Sequence, residues 1–285
     1  MKIYDCFTFY NENALLGIRL AELYTHVDHF VIVESNQTFT NKAKPWNFDI
    51  ARYPEYADKI IYIQVTDMPN SANPWDNEIH QRNSIMRGLE HADPQDLVIV
   101  SDVDEIVRAE AVQYLRTHDQ MLYALRMPLY NFKFNYMRKS PGQYDCWAIA
   151  TKTSTFEYIT PNSLRDMRHN FHQVPHQYEG NGFEIVEHAG WHFGYLGNND
   201  YLRDKAQSFS HQEVNTPEFL EHIDVDASIA QRKEWNRNDP AQYTIVALDD
   251  YFPKTILDNT QLYQEFILDN HEANALDLLP SYPYN

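Results

Sequence analysis

Apolar residues fall in short dense blocks separated by amphipathic stretches. Ile3–Phe9, His29–Glu34 and Lys59–Val65 are rich in β-branched and aromatic residues, as strands buried on both faces are. Between the first two, Leu15, Leu16, Leu20, Leu23 and Tyr24 share one face, which predicts a helix over Glu12–His26 capped by Asn11. A polar loop, Thr66–Trp75, precedes a second predicted helix over Asn77–His91. Leu97-Val98-Ile99-Val100 predicts a fourth buried strand, and Arg108–His118 a helix. This β-α-β-β-α-β order is that of the nucleotide-binding half of a doubly wound sheet.

The rest of the chain reads differently. Met121–Phe134 and Cys146–Phe156 are long, aromatic and β-rich, which predicts strands of a mixed sheet. Gly182–Tyr195 is a further strand region and Tyr201–Phe209 a helix. Beyond about Asn215 the pattern is helical and polar, broken at Pro240 and Pro253. The expectation is an α/β fold, a Rossmann-like mixed sheet flanked by helices. Residues 1–212 would form a catalytic domain, with 1–108 its nucleotide-sugar half and 109–212 its acceptor half, and 213–285 a helical C-terminal subdomain.

The fourth strand ends in Ser101-Asp102-Val103-Asp104-Glu105. A buried parallel strand has no use for acids in its middle, but its carboxyl end opens onto the ligand crevice. Asp102 and Asp104 there offer hard oxygen ligands for Mn²⁺ or Mg²⁺, especially an ion that also holds a diphosphate. The competing reading makes one acid the cap of the next helix. Among His169, His172, His176, His188 and His192, the last is singled out. It lies between Trp191 and Phe193 at a strand end and could be a third ligand. Gly190 argues against a zinc helix through His188 and His192.

Other candidates follow the same rim. Glu34 and Thr38, after the second strand, could meet a base or ribose, and Lys44 a phosphate. Arg82 is a fork donor suited to a diphosphate or a uracil carbonyl. Lys205, helped by His211, could offset charge on a departing diphosphate. For each, the plain alternative is a polar loop or a solvated helix face. Glu187 first, and Asp145 second, are the acids that could take a proton from an acceptor hydroxyl. Trp147 and Trp191 could stack on sugar rings, with core packing the alternative for both.

Composition narrows the classes. A net charge of −18 argues against a nucleic-acid or anionic-membrane partner. It leaves a nucleotide substrate open, because a metal inverts the local sign. Two cysteines make no disulfide framework. With 8 glycines there is no phosphate-cradling Gly-rich motif, so a diphosphate would be held by metal and side chains. No apolar run reaches the roughly 18 residues of a membrane span, and no signal peptide is evident. The expectation is a cytoplasmic protein without an anchor.

Taken in order, several words resemble glycosyltransferase family 17. They are Tyr4-Asp5-Cys6-Phe7, Glu12 to Leu23, Val31-Ile32-Val33-Glu34-Ser35-Asn36-Gln37-Thr38-Phe39-Thr40 and Gln81-Arg82-Asn83. Val98 to Ile106, Gly190-Trp191-His192-Phe193 and Ser208-Phe209-Ser210-His211 complete the set. The resemblance implies a GT-A fold, a UDP-sugar donor (UDP-GlcNAc by analogy), a divalent metal, a glycan acceptor and inversion at the anomeric carbon. A metal-dependent nucleotide-sugar or phosphoester hydrolase and a catalytically silent glycan-binding relative remain alternatives.

Overall fold

The computed structural model describes residues 1–140, 144–170, 182–235 and 242–269. His172, His176 and Pro240 lie outside them. The chain opens with β1 (Ile3–Thr8), α1 (Asn13–Leu23), β2 (His29–Ser35), β3 (Ile60–Val65), α2 (Pro74–Asn83) and β4 (Leu97–Asp102). There follow β5 (Glu105–Val107), α3 (Ala109–Thr117), β6 (Leu122–Asn131), β7 (Tyr136–Ser140), β8 (Tyr144–Lys152) and α4 (Pro161–Asp166). The last elements are β9 (Phe183–Val186), β10 (Gly190–Gly194), α5 (Asn199–Ser208), α6 (Pro217–Glu221), α7 (Val225–Gln231), β11 (Gln242–Ile245) and α8 (Lys254–Asp258).

The strands form one mixed sheet in the order β11-β7-β6-β8-β4-β1-β2-β3. β4, β1, β2 and β3 run parallel, so their carboxyl ends share one rim. β8 joins β4 antiparallel. β6 is the hub of the second half: β9 pairs with its first residues and β10 with its last, both parallel. The core lies on both faces of the sheet. Leu16, Leu20 and Leu23 of α1 pack with Phe7, Phe30 and Ile99, while Tyr4, Val31 and Val98 face Ile85 and Leu89 on the opposite side. This is the Rossmann-like mixed sheet flanked by helices that the pattern predicts.

Three local expectations are corrected. Asn11 does not cap α1; the cap position is Glu12 and carries no side-chain cap bond. Instead Glu12 Oε2 accepts the N–H groups of Tyr10 and Asn11, which fixes the turn out of β1. The second helix starts earlier, with Asn73 as cap and Pro74 at the first position, where its missing N–H costs nothing. It ends at Asn83 and tightens into a 3₁₀ stretch, Ser84–Leu89. There Gly88 lies so close to β2 that an added Cβ would meet Val31 Cγ1 at 2.4 Å. Finally, the segment beyond residue 212 is not wholly helical, because β11 extends the sheet antiparallel to β7.

Candidate active site

β4 delivers Asp102 to the carboxyl-end rim, and a tight turn carries the chain through Asp104 into β5. That turn is pinned from below. Asp5 sits in the middle of β1, fully buried, and Arg19 of α1 meets it with two nitrogens, Nε at 2.7 Å. The same guanidinium donates to Ser101 Oγ at 2.6 Å and to the carbonyls of Asp102 at 2.8 Å and Glu105 at 3.1 Å. Its face lies 4.1 Å from the Phe7 ring centroid. One buried arginine thus fixes the backbone that presents the acids.

β10 brings the histidine. It pairs antiparallel with β5, placing His192 opposite Glu105 and Gly190 opposite Val107. Glycine is required here, since a Cβ at Gly190 would stand 2.0 Å from the Ile106 carbonyl oxygen. Asp104, Glu105 and His192 each offer a ligand atom, all within 4.8 Å of one another. Two carboxylates and an imidazole suit a divalent ion of the Mg²⁺ or Mn²⁺ kind. Burial pushes the His192 pKa down to about 4, so its ring is neutral and able to ligate at physiological pH. Its ring packs edge-on against Trp147, with centroids 4.3 Å apart.

The three acids of the turn have distinct surroundings. Asp102 is clamped by Arg82 at 2.9 Å and Arg165 at 3.0 Å. Burial acts to raise its pKa, but the two guanidiniums outweigh burial and hold it well below the usual carboxylate range. Glu105 is buried, accepts from Arg165, and takes the Asp102 N–H at 2.8 Å. Burial pushes its carboxyl up; Arg165 opposes this and the charges of Asp102 and Asp104 add to it. Asp104 is held loosely, with Lys205 Nζ at 3.6 Å and His192 Nε2 at 3.8 Å. Among the described residues, no donor reaches its carboxylate within hydrogen-bond distance. Asp102, expected as a ligand, has both oxygens bonded by arginines and stands outside the cluster, in which Glu105 joins Asp104 and His192.

Arg82 also reaches Asn162 Oδ1 at 2.8 Å and Glu78 at 2.7 Å, so it acts as a clamp on Asp102. Lys205 lies with its ammonium 5.1 Å from the Tyr195 ring centroid. Burial works against that charge, but Tyr201, Asp104 and Glu12 outweigh it and raise the Lys205 pKa well above its ordinary value. Glu12 and Tyr201 also line a cleft of about 270 Å³ between the start of α1 and the start of α5.

Several expected residues lie elsewhere. Glu34 is fully buried, and its carboxylate accepts from Lys44 Nζ, the N–H groups of Asn47 and Phe48, and the Tyr62 hydroxyl. Glu34 and Lys44 therefore organise a loop, and their charges are spent on each other. Thr38 closes the same loop through Thr40 and the Lys42 N–H. The loop is tied to the end of α5 by Phe39 N–H to the Ser208 carbonyl at 3.1 Å. His211 is half exposed, bonded to Glu213 at 2.8 Å and edge-on to Trp75. Glu187 pairs with Arg126. Asp145 is two residues along β8 from Trp147, on the same face of the strand. Trp191 is 1% exposed and stacks in the core with Phe193 and Tyr251, so it is no sugar platform. Trp147 stays half-buried beside His192.

The sequence reading missed Asp5, Arg19 and Arg165. A charge in the middle of a buried strand, as at Asp5, demands a buried partner, and Arg19 on the apolar face of α1 was the available signal.

The human β-1,4-mannosyl-glycoprotein 4-β-N-acetylglucosaminyltransferase is 24% identical over 216 residues, 67% of this chain and 40% of that protein. The rat enzyme is 24% identical over the same length, covering 39% of its own chain. The chain thus spans about two fifths of the curated relatives it matches. Among solved structures, the glycosyltransferase GlyE of Streptococcus pneumoniae is 11% identical with a TM-score of 0.33, over 65% of this chain and 45% of that one. The galactosyltransferase LgtC is 12% identical with a TM-score of 0.35, over 95% of this chain and 98% of that one. No helix among the described residues is long and apolar enough to cross a membrane. The model of glycosyltransferase family 17 matches residues 1–254, and the chain belongs to that family of sugar-transferring enzymes.

Proposed function

We propose that the protein moves a sugar, GlcNAc in the first instance, from a UDP-sugar to a glycan hydroxyl with inversion at the anomeric carbon. The observation that carries this reading is the Asp104–Glu105–His192 cluster at the carboxyl-end rim, with the Lys205 ammonium beside it. A divalent ion held by those three residues would offset charge on the departing diphosphate. Asp102, fixed by Arg82 and Arg165, sets the position of the turn and adds negative charge beside the cluster. Lys205 supplies the mobile positive charge for the diphosphate.

For the proton acceptor, Asp145 is favoured over Glu187. Asp145 lies two residues along β8 from Trp147, whose ring packs on His192. Trp147 would give an acceptor ring an apolar face to lie against. The curated relatives act on mannosyl-glycoproteins by name; an N-acetylglucosaminyl donor and a glycan acceptor come to this chain from that similarity.

The test is a panel of UDP- and GDP-sugars with Mn²⁺ or with EDTA, read by thermal shift and nucleotide release. Metal-dependent stabilisation by UDP-GlcNAc with slow UDP release is the expected result. Rapid turnover to free sugar without any acceptor would replace transfer by hydrolysis, and no response to any UDP-sugar would sink the donor assignment.

A further inference from the structure

Asp104 is the odd acid of the turn. Asp102 and Glu105 are each bonded by guanidinium groups, yet among the described residues the nearly buried Asp104 carboxylate has only Lys205 Nζ at 3.6 Å and His192 Nε2 at 3.8 Å. A carboxylate removed from water needs a compensating charge. The nearest side-chain ammonium to it is that of Lys205, at 3.6 Å. The lysine is unlike an arginine in this place: it is a point charge on a flexible four-carbon stem, with no fork to lock its geometry. It is also not committed to Asp104 alone, since its ammonium stands near the Tyr195 and Tyr201 rings, at 5.1 and 6.0 Å from their centroids. Glu12, at the start of α1, adds a second negative charge on that side.

We propose that Lys205 is a placeholder cation: its ammonium balances Asp104 until a divalent ion binds there, and it is then released to the nucleotide phosphates. The inference rests on reading the Asp104 cluster as a divalent-ion site. Two cations cannot share one carboxylate without repulsion, so ion and ammonium compete for Asp104. Once displaced, the ammonium swings from its stem at the second turn of α5 and meets an anion that arrives with the ion. Metal and nucleotide then promote each other's binding through the lysine, in addition to any direct contact, and this coupling is reciprocal. Without nucleotide, the lysine weakens metal binding. The site therefore favours the loaded pair over the bare ion.

The test titrates Mn²⁺ alone, followed by the free-ion signal in electron paramagnetic resonance, into wild type, Lys205→Met and Lys205→Gln. Thermal unfolding verifies that each variant is folded. The titration is then repeated with saturating UDP. The expected result is Mn²⁺ binding about tenfold tighter in the variants without UDP, and a smaller gain in Mn²⁺ affinity on adding UDP than in wild type. Equal or weaker Mn²⁺ binding in a folded variant overturns the proposal. A measurement on wild type covers variants that do not fold: Mg²⁺ should shift the Lys205 Cε resonance in protein labelled at lysine, and an unmoved resonance overturns the proposal. If wild type binds Mn²⁺ but no UDP-sugar, the donor reading fails while the ratio of Mn²⁺ affinities still decides the role of Lys205. If wild type binds no Mn²⁺, both fall.

Discussion

Arg19 is the residue whose loss tests the architecture of the site most directly. Arg19→Met keeps a long apolar side chain but removes every donor. It strands the Asp5 carboxylate in a fully buried strand and leaves the Ser101 hydroxyl and the Asp102 and Glu105 carbonyls without this partner. Removing one partner of a buried ion pair costs about 3–5 kcal/mol. Each orphaned buried acceptor adds about 1–3 kcal/mol. The sum is comparable to the whole stability of an ordinary domain, about 5–15 kcal/mol. The variant should therefore unfold at much lower urea, or fail to accumulate as folded protein. Asp5→Leu combined with Arg19→Met removes the stranded charge but not the orphaned carbonyls. It should recover several kcal/mol relative to Arg19→Met alone while leaving the acid turn loose and transfer slow. Equilibrium urea unfolding of wild type, both single variants and the double variant completes the cycle. An Arg19→Met protein within about 1 kcal/mol of wild type, or a double variant no more stable than that single, would refute the reasoning.

Three further outcomes follow from the same geometry. Asp104→Asn should slow transfer more than about 100-fold, beyond the loss usual for residues that only support a metal ligand, and abolish Mn²⁺ binding; wild-type Mn²⁺ affinity would contradict the ligand role. Its thermal midpoint should fall, because the Lys205 ammonium loses the carboxylate beside it. His192, with a folded pKa of about 4 against an ordinary 6.5, takes up its proton more readily in the unfolded chain. Its contribution to stability is thus present above pH 6.5 and lost as pH falls from there towards 4, up to about 3 kcal/mol in all. Unfolding free energies of metal-free wild type and His192→Asn should diverge across that window; parallel curves would contradict the shift. Glu34→Ala removes the buried carboxylate that Lys44, two backbone N–H groups and the Tyr62 hydroxyl donate to, so it should cost roughly 3–5 kcal/mol of stability. Affinity for UDP, measured on the folded fraction, should stay within about threefold; a far larger loss of affinity would restore Glu34 to the donor site.

The parallel strands were readable because each is a β-branched run with no competing period, and the acids closing β4 could not belong to its buried middle. Helix ends were less readable. The start of α2 depends on Asn73 and Pro74, which read as loop residues until their positions relative to the helix axis are known. Its end depends on Gly88 meeting Val31 across the layers, a contact that no local pattern encodes. The same division runs through the site. Asp104, His192 and Lys205 were legible from strand ends and charge, and the structure brings them together. The bond between Glu34 and Lys44 was not legible, because two opposite charges in one loop look like two ligand contacts until their mutual bond is seen. The pairing of both Asp102 and Glu105 with Arg165 was not legible, because that arginine arrives on a short helix far along the chain.

The antiparallel pairing of β5 with β10 sets the order in which the protein can mature. The acid turn leaves the ribosome early, together with the parallel strands that carry it, but His192 and Lys205 are made much later. Until β10 docks through the gap left at Gly190, Asp104 and Glu105 stand without His192. The edge of β4 is covered earlier, by β8. Closure across so long a stretch of sequence is a slow, entropically opposed step. The candidate site is thus completed only after most of the sheet is made, and a chain cut short before β10 would lack His192 and Lys205 and leave β5 unpaired.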